Sequence, residues 1–78
     1  KVYLHDMRPP QRGSVQSVWD DDPGVLRYLE KRGLIPGAGF QVTKFSPFDH
    51  LLHVQVDGGE EEIALGESLT AQILVEID

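Results

Sequence analysis

"LRYLEKRGLIPGAGFQV", residues 26–42, holds a helix stop and a strand start within a few residues of each other. Val25, Leu26 and Leu29 fall at spacings of three and four, which places them on one face of a helix. Arg27, Lys31 and Arg32 bring positive charge toward the C-terminal end, where the helix dipole favours cations. Gly33 can take the left-handed conformation that ends a helix, and Leu34 is then expected to fold back against Leu29. Pro36-Gly37 predicts a tight turn with proline second and glycine third. From Gly39 the period changes to two: Phe40 and Val42 share one face, Gln41 and Thr43 the other, and the strand runs to Phe45 before Ser46-Pro47 breaks it.

Toward the N-terminus, Asp22-Pro23 is a helix start. The carboxylate can accept an orphan backbone N–H, and proline at the first helical position needs no donor. The helix is therefore predicted from Pro23 to Arg32. A strand is expected over Gly13 to Trp19, but Val15 and Val18 are three apart, which predicts a bulge near Gln16 or Ser17. Leu4 and Met7 suit one turn packed under the domain, after which Pro9-Pro10 is expected to force extended backbone.

Toward the C-terminus, Leu51 to Val56 alternates as a strand with Leu52, Val54 and Val56 inward. Asp57-Gly58-Gly59 predicts a hairpin turn, and Glu60 to Leu65 returns with Ile63 and Leu65 inward. Gly66 to Gln72 fits a single helical turn carrying Leu69 and Ala71 inward, and Ile73, Val75 and Ile77 alternate in the last strand. The whole reads as a mostly β domain: a small barrel of about five short strands, with one helix between the first and second, because closure removes exposed strand edges.

With 78 residues, the chain is one domain with a thin core. It has no cysteine, so neither disulfides nor thiolate metal sites can stabilise it, which suits a reducing, cytoplasmic setting. No stretch approaches the length of a membrane span. The formal charge of -6, from 13 acidic and 7 basic residues, argues against a grip on phosphate backbone. Acidic residues cluster at Asp20 to Asp22 and Glu60 to Glu62, runs that ordinarily form solvated loops or strand ends. Lys1 opens the chain without methionine, and the expectation is a single domain, residues 1–78, excised from a longer protein.

Catalytic chemistry finds no support: the four serines lack a nucleophile context, and no phosphate-binding glycine loop occurs. His50 and His53, if both lay in one strand, would point to opposite faces with Cα atoms roughly 10 Å apart and could not share an ion. His5 beside Asp6 would diverge likewise on an extended chain. Asp20 to Asp22 are the suggestive cluster, since carboxylates in a loop suit a hard cation.

Taken together, the acidic helix start, "LRYLEKRGLIPGAGFQV", "PFDHLLHVQV" and "LGESLTAQILVEI" resemble the FeoA-type, SH3-like domain, above all the version at the C-terminus of metal-dependent repressors of the diphtheria-toxin-repressor family. "DDDPGVLRYL" and Pro47 to Asp49 are most similar to the repressor version. The resemblance spans Leu4 to Ile77.

It implies a non-catalytic regulatory domain of a cytoplasmic Fe²⁺- or Mn²⁺-dependent repressor, working through the repressor's other domains and its dimer. DNA would be gripped only by a separate winged-helix domain. In some relatives a Glu and a Gln near the helix start reach a metal; this chain has Val25 near the second of those positions. Asp22, with Asp21 in reserve, is then the residue implied as a ligand to a metal shared with another domain, and the isolated domain is expected to bind Fe²⁺ or Mn²⁺ weakly or not at all. Two alternatives stand: a freestanding FeoA-like accessory protein of a ferrous-iron transporter, and an SH3-like module that binds proline-rich peptides. The last would need an exposed aromatic groove, whereas several of Tyr3, Trp19, Tyr28, Phe40, Phe45 and Phe48 are expected to fill the core.

Overall fold

The computed structural model describes residues 2–78. Six strands form one antiparallel sheet: β1 (Val2–Tyr3), β2 (Arg12–Val18), β3 (Gly39–Ser46), β4 (Leu51–Val56), β5 (Glu62–Leu65) and β6 (Ile73–Ile77). They lie in the order β1-β6-β2-β3-β4-β5, which is the expected SH3-like arrangement with one more strand than the sequence indicated. The addition is β1, whose Val2 and Tyr3 pair with Val75 and Leu74. A two-residue strand carries no period, so only its partner reveals it.

Helix α1 (Pro23–Lys31) connects β2 to β3. Its end is the predicted one in detail. Gly33 sits at φ 82, its N–H reaches the Glu30 carbonyl at 3.0 Å, and the Leu34 N–H reaches the Leu29 carbonyl at 2.9 Å. These two bonds make a Schellman motif, and its usual apolar partner contact is supplied by Leu29 and Leu34, both buried. The next turn is closed by the Ala38 N–H on the Ile35 carbonyl at 2.9 Å, with Gly37 at φ 92 as the third residue.

Two bulges tune which side chains reach the interior. In β2, Val15 faces Val75 but Ser17 faces Leu74, so Gln16 is the extra residue the Val15 to Val18 spacing foretold. In β3, the register shifts between Val42 and Lys44. That second bulge was not expected, and it has a consequence for packing: strict alternation from Phe40 and Val42 would turn Phe45 outward, whereas the extra Thr43 returns Phe45 to the core side.

The interior is one cluster that includes Leu4, Met7, Leu29, Phe40, Leu52 and Ile73, with Leu4 and Met7 fully buried. Leu4 to Asp6 form a 3-10 turn, as the Leu4 and Met7 pair suggested. Beyond it Met7 is extended, but the chain does not continue so through the prolines. Arg8 to Gln11 turn back, closed by the Gln11 N–H on the Arg8 carbonyl at 2.9 Å across a cis Pro9-Pro10 peptide.

Three further expectations need correction. The short helix α2 (Glu67–Thr70) buries Thr70 rather than Ala71, because its brevity leaves its last residue facing the core. In β6, Leu74 is buried beside Ile73 and Val75, flanked by its cross-strand partners Tyr3 of β1 and Ser17 of β2, while Ile77 is exposed at the end. Of the six aromatic side chains, Phe40 alone is fully buried; Trp19, Tyr28 and Phe48 are exposed.

Candidate functional site

The acidic helix start is a hydrogen-bonded unit. Asp22 Oδ1 accepts from the Gly24 N–H at 2.8 Å, as an N-cap should. Asp20 Oδ1 in turn accepts from the Asp22 N–H at 2.9 Å, which shapes the approach to the cap. Asp21 and Asp22 are both exposed. Among the described residues, no group of three His, Cys, Asp or Glu side chains converges as a metal site. The two residues singled out from the sequence are therefore brought together at the surface, with one oxygen of Asp22 already engaged by the backbone.

The histidines are not distributed as the strand argument assumed. His53 lies in β4 opposite Lys44 and Ala64. His50 lies outside the strand, in the β3–β4 turn at φ 56, and its Nδ1 stands 3.9 Å from Glu67 Oε2. His5 is held by the 3-10 turn rather than an extended chain, so its Nε2 comes within 3.2 Å of Asp6 Oδ1.

His5, His50 and Glu67 meet across a small cavity that reading along the chain missed. Its volume is about 50 Å³, and its walls come from the N-terminal turn (His5, Arg8), the β3–β4 hairpin (Phe45, His50, Leu52) and α2 (Glu67, Thr70). The Arg8 guanidinium lies 3.7 Å above the Phe45 ring, a cation–π contact, and Arg8 Nη1 donates to the carbonyls of His5 and Met7. The space suits a water molecule or two, not an organic substrate. Three segments far apart in sequence build it, so no local spacing could announce it.

At the hairpin tip Phe48 is 96% exposed. Beside it, Asp49 has its carboxyl held below the ordinary aspartate range, chiefly by a hydrogen bond from Ser46 and further by the Leu51 N–H. These hydrogen bonds stabilise the turn.

Helix α1 presents two unlike flanks. On one, Lys31 and Arg32 line an open cleft of about 320 Å³ whose far wall carries Glu60 and Glu61. On the other, Leu26 and Glu30 of α1 face Ser17 and Val18 of β2 and the Leu34 to Pro36 turn, across a more apolar groove of about 340 Å³. Leu26 and Ile35 are 40% and 45% exposed there. None of the exposed aromatics Trp19, Tyr28 and Phe48 lines any of these three hollows. No helix among the described residues is long and apolar enough to cross a membrane.

Comparison with known proteins agrees with this architecture. The profile of the FeoA domain matches residues 2–77. The structure of an iron uptake regulatory protein, FeoA, superposes with a TM-score of 0.81 at 28% identity, covering 97% of this chain and 94% of that one. ScaR with bound Cd²⁺ gives 0.82 at 32% identity, covering 97% of this chain and 35% of the other. A manganese-dependent transcriptional repressor in complex with manganese gives 0.87 at 26% identity, covering 97% and 36%. The chain thus spans nearly all of the first and about a third of each of the other two. No curated protein sequence matches it significantly.

Proposed function

From the premise that this chain belongs to the FeoA domain family, we propose that it is the non-catalytic regulatory domain of a cytoplasmic Fe²⁺- or Mn²⁺-dependent transcriptional repressor. The observation that carries this reading is its likeness, over 97% of its length, to about a third of a manganese-dependent transcriptional repressor and of ScaR, solved with bound Cd²⁺. Its charge of -6 adds weight, because a domain so acidic leaves DNA to another part of the protein. Its work is contact with the other domains of a repressor dimer, favouring the DNA-competent arrangement when metal is bound.

The residues present fit a hard divalent cation only in part. Asp22 is half spent as a helix cap, and Asp21 supplies an exposed carboxylate beside it. These two would donate to a site completed by another domain, where the cation would tie the domains together.

The test is to express the complete coding sequence and measure binding to fluorescent DNA carrying the gene's own promoter. We expect binding that needs Mn²⁺ or Fe²⁺ and that becomes weaker or metal-independent once residues 1–78 are removed. Absence of DNA binding with and without metal would refute the reading. The second reading, an accessory protein of a ferrous-iron transporter, draws on the 94% coverage of the FeoA chain. It predicts copurification with a membrane transporter instead.

A further inference from the structure

We propose that the groove between α1, the end of β2 and the Leu34 to Pro36 turn is the docking face for a partner segment that presents a row of apolar side chains flanked by Lys or Arg. The inference deepens the reading of this domain as a contact module and rests on it. The floor supplies the apolar half. Leu29 and Leu34 close it from beneath, while Leu26 and Ile35 stand 40% and 45% exposed on its walls. Gathered in one groove rather than scattered singly, they offer a contiguous apolar surface to a partner.

The rim supplies the charge. A helix turns about 100° per residue, so α1 sets Glu30 apart from Lys31 and Arg32, with Arg27 at a bearing between Glu30 and Lys31. Lys31 and Arg32 line the opposite cleft, where Glu60 and Glu61 face them. Glu30 is the charged side chain that lines the groove. At one end, Asp20, Asp21 and Asp22 join Val18 of one wall to the start of α1, which carries Leu26 of the other. No lysine or arginine lines this groove among the described residues. An apolar trough whose lining carries Glu30 as its charged side chain, with Asp20 to Asp22 in the loop that joins its two walls, favours an occupant with basic flanks and disfavours an acidic one, including a second copy of this chain at its charge of -6.

The experiment uses the ¹⁵N-labelled chain and two synthetic amphipathic peptides, alike in their leucine row but flanked by lysine in one and glutamate in the other. The lysine peptide should shift the amides of Leu26, Glu30 and Ile35 and bind at least about tenfold more tightly than its twin. Leu26→Glu should remove that binding, and Glu30→Lys should narrow or reverse the preference, each with an otherwise unchanged amide spectrum. Ile35→Ser serves as a second, milder variant should Leu26→Glu unfold the chain. Shifts gathered on another face would overturn the groove while leaving a contact module standing. Equal binding of both peptides, or no shift from either at about millimolar concentration, would overturn the groove as well. The repressor reading itself is decided separately by promoter binding.

Discussion

Helix α1 and the N-terminal turn both deliver fully buried side chains to one core, Leu29 and Leu34 from the first, Leu4 and Met7 from the second. They arrive there by different means. Around α1 each step is encoded by near neighbours: Asp22 caps, Gly33 stops, and the Leu29 to Leu34 contact closes the motif. The N-terminal turn has no side-chain cap hydrogen bond and is only three residues long. Its geometry is imposed by what it packs on, including β1 against β6. Local chemistry decides one region and tertiary burial the other, so substitutions should separate them.

The largest effects should fall on the shared core and be alike in both regions. Leu29→Ala and Leu4→Ala should each destabilise by about 2–5 kcal/mol, the range for a buried leucine truncation, read from urea midpoints. A cost under about 0.5 kcal/mol for Leu4→Ala, the scale of a surface change, would show that the N-terminal turn only rests on the domain.

Gly33→Ala should come next, at about 1–2 kcal/mol, the penalty of a left-handed residue with a Cβ. The added carbon would meet Val56 Cγ1 at an ordinary 3.5 Å, so the loss would be backbone strain rather than a clash. An unchanged midpoint would remove the case for a locally encoded helix stop. Asp22→Ala should cost about 1 kcal/mol, with Asp22→Asn restoring most of it, because either side-chain oxygen can accept the Gly24 N–H.

The smallest effect belongs to the hairpin tip. Asp49 has a lowered carboxyl pKa from its Ser46 and Leu51 hydrogen bonds. A lowered folded-state value means stability that is present above the ordinary aspartate range and is lost as pH falls below about 4. Because the group is fully exposed, Asp49→Asn should flatten that acid limb only slightly. A steeper acid limb in the variant would reverse the assigned direction.

The same contrast explains how far the sequence could be read. The α1 boundaries, the Gln16 bulge and the β4 strand were legible because spacing, caps and turn residues act within a few positions. The Thr43 bulge went unread although Val42 and Phe45 are three apart, as Val15 and Val18 are; pairing with β4 fixes which residue is extra. The hollow joining His5, His50 and Glu67 draws on three separate segments and left no local trace. Aromatic placement was only partly legible: several of the six rings were expected in the core, yet Phe40 alone is fully buried, Phe45 packs against the core, aliphatic side chains fill the rest, and Trp19, Tyr28 and Phe48 stay outside. Asp21 and Asp22 were legible as a helix start; their part in a shared metal site remains a proposal about a neighbouring domain.

Titrating Mn²⁺ into the ¹⁵N-labelled chain while following paramagnetic broadening tests most directly whether this domain borrows its metal response through contact. The account predicts weak broadening that does not saturate and that centres on the amides of Asp21 and Asp22. Tight, saturable broadening centred on His5, His50 or His53 would contradict it, because the domain would then hold a metal site of its own.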